Sequence, residues 1–278
     1  MVERAKPLLG TFVSVRVTGA SEEVVAHRAI DAAFQEIALI HTLMSFHEPQ
    51  SDVSRLNRDA HKRPIEVHPY THEVLQLAHE MMIASGGCFD ITVAPELVRN
   101  NLLPSPAIHV PHDDASGRDI ELLDDECVRF LKPLWIDLGG IAKGYAIDRA
   151  VEALLAHGIK HAVVNAGGDL RAIGEASEPI ELRPLFGSSA HTSLLNLQDA
   201  SVASSEASLE HRDGRRREQG LTPRFVSVVA RSCALADALT KPVIALGAAS
   251  ASLLQKFGAI AFMHEPGGEW LRLGDISC

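Results

Sequence analysis

The strongest constraint on how this chain folds lies between Trp135 and Asp169, where an apolar run ending in two glycines occurs twice. Trp135 to Leu138 reads as a strand, Gly139-Gly140 as a turn, and Ile141 to Ala156 as a helix. A second strand follows at His161 to Asn165 and runs into Ala166-Gly167-Gly168-Asp169. The order is strand, glycine turn, helix, strand. Paired glycines at such junctions permit positive φ or a close approach that a Cβ would block.

The flanking sequence extends this pattern without strict βαβ alternation. Gly10 to Val17 is β-branched with period two and predicts a strand; Ser21 followed by Glu22 and Glu23 predicts a helix start. That helix carries Val25, Ile30, Ala33, Phe34, Ile37 and Leu43 at three- and four-residue spacing. Further helices are expected at Thr71 to Ala84, Leu235 to Leu246 and Ser250 to Phe257. Strands are expected at Phe225 to Ala230 and Ala259 to Met263, with a hairpin over Ile120 to Leu131 turning at Asp124-Asp125. Leu102 to Gly117 and the polar stretch Ser201 to Pro223 read as loops. The expected class is α+β, in a single domain over residues 1–278 that has room for two lobes.

Charge and cysteines narrow the function classes. A formal net charge of -10 disfavours a nucleic acid partner, since like charges repel. The basic run Arg212, Arg215, Arg216 and Arg217 reads as a solvated loop. Cys88, Cys127, Cys233 and Cys278 show no CxxC spacing, so reduced thiols are expected. No run approaches the ~18 apolar residues of a membrane helix, so no transmembrane segment is expected. The N-terminus shows no signal-peptide pattern. As given, the chain reads as cytoplasmic in type, and as periplasmic if a leader has been removed.

Four constellations could carry chemistry. In Asp137-Leu138-Gly139-Gly140-Ile141-Ala142-Lys143-Gly144, an acid ends a strand and a Lys sits at a helix start, where free amides favour an anion such as phosphate. A tight turn with a surface Lys explains the same letters, and the Walker spacing is absent. Asn165 to Asp169 reads first as a structural turn. Phe89-Asp90-Ile91-Thr92, after Ser85-Gly86-Gly87, places an Asp in an apolar run, where it either caps a turn or faces a ligand. Asp237, with Thr240 and Lys241 three and four residues on, presents polar groups on one helix face. An oxygen site for a hard cation and a plain Asp–Lys helix pair both remain open there. The 14 histidines show no HExxH spacing, and no GxSxG is present.

In order along the chain these pieces resemble the ApbE family. Leu8-Leu9-Gly10-Thr11 is similar to its opening strand, and Leu43 to His47 followed by Ser51 to Asn57 is similar to its "MS…S…SRLN" segment. Gly86 to Pro95 resembles "GGxFDiTvgP", and Ile136 to Asp148 with Val164 to Asp169 resembles the family's centre. Ser227-Val228 and Ala236 to Leu239 resemble the C-terminal "SV…ADAL" block. The resemblance implies an α+β fold with a T-fold-like core and FAD in a cleft between lobes. It implies FAD contacts from Leu9, His47, Asp90, Ile91, Thr92, Asp137 and Lys143. It also implies a magnesium ion held by the Gly140 carbonyl and Asp237, with Thr240 as the nearest hydroxyl. The implied activity is FAD:protein FMN transfer. A Thr or Ser hydroxyl of an acceptor flavoprotein attacks the FMN phosphorus and AMP leaves, with Asp237 and Lys143 as catalytic groups.

The chain departs from the family pattern at several points. Lys241 stands four residues after Asp237, where the family places a metal-binding Thr. The "HHIxDPxTG" segment is reduced to Leu221-Thr222-Pro223-Arg224, and "ATSG" becomes Ala203-Ser204-Ser205-Glu206. Two alternatives therefore stand beside transfer: an FAD-binding relative without transferase activity, and an FAD pyrophosphatase giving FMN and AMP.

Overall fold

Alternating valines open the fold: Val13, Val15 and Val17 are buried on one face of a strand, while Phe12 on the other face is exposed. The computed structural model describes residues 1–19, 22–106, 108–182, 193–207, 224–265 and 268–275. Within these, residues 1–38 and those from 143 onward form one compact unit, and residues 39–142 form a second. Ser21, the arginine run, Leu221 to Pro223 and Cys278 lie outside the described residues.

In chain order, β1 (Val2–Leu8) pairs antiparallel with β2 (Thr11–Thr18), and α1 (Glu23–Met44) follows. The second unit contains α2 (Asp52–Asp59), β3 (Ile65–Glu66), α3 (Pro69–Ala84), α4 (Ala94–Arg99), β4 (Ile120–Leu122) and β5 (Cys127–Phe130). Strands β4 and β5 form the expected hairpin, and β3 joins its other edge. Two caps explain where its helices begin. Ser51 accepts the Ser54 N–H at 3.0 Å to start α2, and Pro69 opens α3, where a missing N–H costs nothing.

The first unit resumes with α5 (Ala142–Ala156), β6 (His161–Ala166), β7 (Asp169–Ile173), β8 (Glu178–Leu182), β9 (Ser193–Leu197) and β10 (Ala200–Ala207). It ends with β11 (Arg224–Ala230), α6 (Cys233–Leu246), α7 (Ala251–Lys256), β12 (Ile260–His264) and β13 (Leu271–Leu273). Eight of its strands form one sheet in the order β1-β2-β6-β7-β10-β11-β12-β13, antiparallel at every pairing. One face of the sheet's middle lies against α6. On the other, Leu170, Val202, Val229 and Ile260 bury with Leu197 and Ile180 of the β8–β9 hairpin. A strand covered on both faces is buried along its length, as β11 is from Phe225 to Ala230. The class is α+β.

Two expectations are corrected. Trp135 to Leu138 is not a strand: the Asn57 amide group bonds the Ile136 N–H at 2.7 Å and its carbonyl at 3.0 Å, and the Ile91 carbonyl takes the Asp137 N–H at 2.8 Å. A buried backbone must satisfy its hydrogen bonds, and here a side chain supplies what a neighbouring strand would. Residues 201–207 are not loop but belong to β10, in the middle of the sheet. Two serines misled the pattern because their hydroxyls find partners: Ser204 with Ser227 at 2.7 Å, and Ser205 with Thr240 at 2.9 Å.

The joined helical stretch Cys233–Lys256 is, among the described residues, long and apolar enough to cross a membrane. Most of it is buried inside the protein, as in the core helix of a packed unit. Cys88, Cys127 and Cys233 are free thiols; Cys233 is buried, and burial pushes its thiol well above the ordinary value.

Candidate functional site

In the first unit, three chain junctions converge on one group of charges. Lys143 sits in the first turn of α5, where the Leu138 carbonyl takes the Ala142 N–H at 2.8 Å. Asp169 begins β7, directly after Gly167 and Gly168, whose φ values of +66° and +102° close a two-residue hairpin turn from β6. Asp237 lies in the second turn of α6, which Ser232 caps by accepting the Leu235 N–H at 3.3 Å.

Lys143 forms an ion pair with Asp169, whose Oδ1 also accepts the Ser204 N–H at 3.0 Å. Lys241 forms an ion pair with Asp237 Oδ1 and donates to the Asp237 carbonyl at 3.0 Å. The Gly144 N–H points at Asp237 Oδ2 across 3.4 Å. The Asp237 carbonyl also accepts the Thr240 hydroxyl at 2.7 Å, and Thr240 is fully buried. Lys143, Asp169 and Asp237 feel one another. Burial works against the Lys143 ammonium, but Asp237 and then Asp169 more than offset it and raise its pKa. Burial raises the pKa of Asp169, Asp237 adds to this, and Lys143 opposes it.

A buried ion network behind the charge cluster fixes the start of α6 against α5. The Asp148 carboxylate accepts the Cys233 and Ala234 N–H groups, each at 2.9 Å, and pairs with Arg171 at 2.7 Å. Burial raises its pKa; the two backbone donors and Arg171 pull the other way. Leu9 lies in the β1–β2 turn with φ 55°, beside Gly10 at φ 71°. It is at the same end of the sheet as the Gly167-Gly168 turn, where a Cβ on Gly167 would sit 2.7 Å from Thr11 Oγ1.

The second unit holds the other expected residues. Asp90 Oδ1 accepts the Thr92 N–H at 2.8 Å and its hydroxyl at 2.6 Å, and Oδ2 accepts the Gly117 N–H at 3.1 Å. Asp90 thereby caps the short 3-10 turn Ile91–Val93 and ties it to a second loop. Ile91 receives the Asp137 N–H, and Asp137 turns its own carboxylate back on the Gly139 N–H at 2.9 Å. Gly140 completes the turn into Ile141 and α5. His47 lines a cavity of about 280 Å³ with Phe46, Asn57, Arg58, Pro106 and Ile108.

Leu9, Lys143, Asp237 and Thr240 therefore share the first unit; His47, Asp90, Ile91, Thr92, Asp137 and Gly140 share the second. The sequence reading passed over Asp169 as a turn residue. Its signal was present: an acid directly after a diglycine turn, at the head of a strand that a charged partner could reach. Asn57 and Asp52, inside the "SDVSRLN" block, hold the fold together. Asp52 accepts the His68 N–H and the Thr71 hydroxyl, both at 2.8 Å, as Asn57 does for Ile136.

These groupings define a class: an α+β protein with a large antiparallel sheet, whose two ammonium groups, Lys143 and Lys241, suit an anionic ligand. The sequence profile of the ApbE family matches residues 9–263. The chain belongs to the ApbE family. It is 26% identical over 298 residues to the FAD:protein FMN transferase of Treponema pallidum, covering 92% of this chain and 82% of that protein. It is 28% identical over 238 residues to the protein of the same name from Chlamydia trachomatis, covering 77% and 73%. In three dimensions it is similar to the flavinyl transferase ApbE of Pseudomonas stutzeri, with TM-score 0.82, 19% identity and 99% and 94% of the two chains covered. The flavin transferase ApbE of Vibrio cholerae gives TM-score 0.78 at 20% identity, covering 99% and 97%.

Proposed function

We propose that this protein is an FAD:protein FMN transferase, acting on a Thr or Ser hydroxyl of an acceptor flavoprotein. The observation that carries the reading is the charge cluster where α5, β7 and α6 meet. The acceptor oxygen bonds to the FMN phosphorus, and the bond from that phosphorus to the AMP phosphate oxygen breaks with its electrons on AMP. The hydroxyl proton passes to solvent. Phosphoryl transfer of this kind needs positioning and positive charge around spreading oxygen charge more than it needs covalent help.

Lys143, fixed by Asp169, supplies one ammonium at the start of α5. Lys241, fixed by Asp237, supplies another. Leu9, His47, Asp90, Ile91, Thr92 and Asp137 are proposed to complete the FAD-binding set. Asp90 and Asp137 would act largely through the loops they pin, since each carboxylate already accepts backbone N–H groups.

Magnesium on the Gly140 carbonyl, Asp237 and Thr240 fits less well. Asp237 Oδ1 holds Lys241, Oδ2 faces Gly144, and the Thr240 hydroxyl is bonded to Asp237's own carbonyl and to Ser205. Incubation with FAD and a threonine-bearing acceptor, followed by fluorescence of the denatured acceptor and quantification of AMP, tests the reading. Covalent flavin with matching AMP supports transfer. Intact bound FAD supports a flavin-holding protein, and free FMN with AMP supports a pyrophosphatase. Asp237→Ala is expected to abolish turnover while leaving part of the FAD binding; unchanged turnover removes Asp237 from the site.

A further inference from the structure

The cluster around Asp237 is already neutral. It contains two carboxylates, Asp169 and Asp237, whose side chains are 2% and 3% exposed. It also contains two ammonium groups, Lys143 and Lys241, on side chains 30% and 35% exposed. Each buried acid is matched by one base, so the formal charges sum to zero. Hard divalent cations gather oxygen ligands and surplus negative charge. Here a divalent ion would have to displace Lys241 from a buried carboxylate whose other oxygen already faces a backbone N–H.

An ordinary surface Asp–Lys pair four residues apart on a helix explains less than this. Such pairs have both ends in water and little consequence. Asp237 is buried, and it lies close enough to Lys143 and Asp169 to raise the pKa of both. Both carboxylates act on Lys143, which supplies a single positive charge against two negative ones. The second positive charge comes from Lys241, bonded at once to the Asp237 side chain and to its carbonyl at 3.0 Å. The Lys241 side chain stays 35% exposed, whereas Asp237 is buried.

We propose that Lys241 is a resident cation: held on Asp237, its ammonium takes the place of a divalent metal beside the FAD diphosphate, so that FAD binds without one. The inference rests on the FAD reading above and adds to it the identity of the cation. An ammonium can serve as a point charge for phosphate, although it cannot gather several oxygens as a metal does.

The test is calorimetric titration of the full chain with FAD in EDTA and in magnesium, for the wild type, Lys241→Met and Lys241→Arg. Manganese titrations without flavin, read by electron paramagnetic resonance, accompany it. The wild type is expected to bind FAD about equally in the two buffers. Lys241→Met is expected to lose on the order of tenfold or more in EDTA, regain it in magnesium, and acquire manganese binding that the wild type lacks. Lys241→Arg, which keeps the charge, should retain binding in EDTA; equal loss in Arg and Met variants with native circular dichroism overturns the charge argument. FAD binding by the wild type only with magnesium, or equal manganese binding by wild type and Lys241→Met, overturns the inference and leaves the FAD reading standing. No FAD binding in either buffer overturns the FAD reading, and the inference with it.

Discussion

Replacing Gly144 by Ala tests how tightly the start of α5 is fixed against α6. A Cβ built on Gly144 would lie 2.2 Å from the Cys233 carbonyl oxygen, 2.5 Å from its carbon and 2.8 Å from the Ala234 Cα. Ordinary contact between carbon atoms is about 3.5–4.0 Å, so the two helices must part by roughly an ångström. No rotamer relieves this, because every obstructing atom is backbone. That backbone is held by Asp148, which accepts the Cys233 and Ala234 N–H groups at 2.9 Å each. Helix propensity acts in the other direction: Gly to Ala within a helix gains about 1 kcal/mol. Overpacking in a dense interior costs about 1–3 kcal/mol, and moving α6 also loosens the Asp148 bonds, each worth about 1.5–3 kcal/mol for a charged acceptor. The steric effect wins, and a net loss of about 2 kcal/mol is expected, equivalent to about 4–8 °C in Tm for a domain of this size class. Thermal unfolding followed by circular dichroism measures it. A Tm equal to or above the wild type would show that α5 can withdraw freely and would refute the steric reasoning. Because the Gly144 N–H also faces Asp237 at 3.4 Å, FAD affinity should fall alongside stability.

Further predictions follow from the buried polar network. Asp148→Ala leaves Arg171 and the first amides of α6 without their partner and should cost about 3–5 kcal/mol in urea unfolding; a loss below about 1 kcal/mol would mean that water replaces the carboxylate. Asn57→Leu removes both bonds to Ile136, and a loss of about 2–4 kcal/mol is expected from two unsatisfied buried backbone groups. Hydrogen exchange at the Ile136 amide should quicken, and unchanged protection would contradict the clamp. His61 and His109 pack against each other with tilted rings whose centroids are 4.1 Å apart, and burial lowers both pKa values below the ordinary 6.5. Lys62 lowers His61 further, and His61 lowers His109, while Asp59 and, for His109, the Leu134 carbonyl oppose. Groups held neutral by the fold contribute stability above pH ~6.5 that is lost as pH falls through their lowered values. Tm should therefore decline on acidification below that pH, and the decline should shrink in His61→Phe; an identical pH profile in that variant would exclude the pair as its source.

Local periodicity by itself determined most of the regular elements. The valines of β2, the apolar stripe of α1 and the caps and stops around α3 act within a few residues, so their signal survives in one dimension. The pairing of Lys241 with Asp237 was legible for the same reason, since four residues on a helix is one turn. Tertiary structure alone decided the rest. Trp135 to Leu138 has the composition of a strand, yet its hydrogen bonds go to Asn57, 79 residues away, and to the Ile91 carbonyl. Residues 201–207 have the composition of a loop, yet they lie in the middle of the sheet, where Ser227 and Thr240 satisfy the Ser204 and Ser205 hydroxyls. Asp169 reads as a turn residue until Lys143 is brought against it from another element. In each case a polar group's role was set by a partner distant in sequence. Hydrogen-bond and charge satisfaction are properties of three-dimensional neighbours, and residue order alone does not supply them.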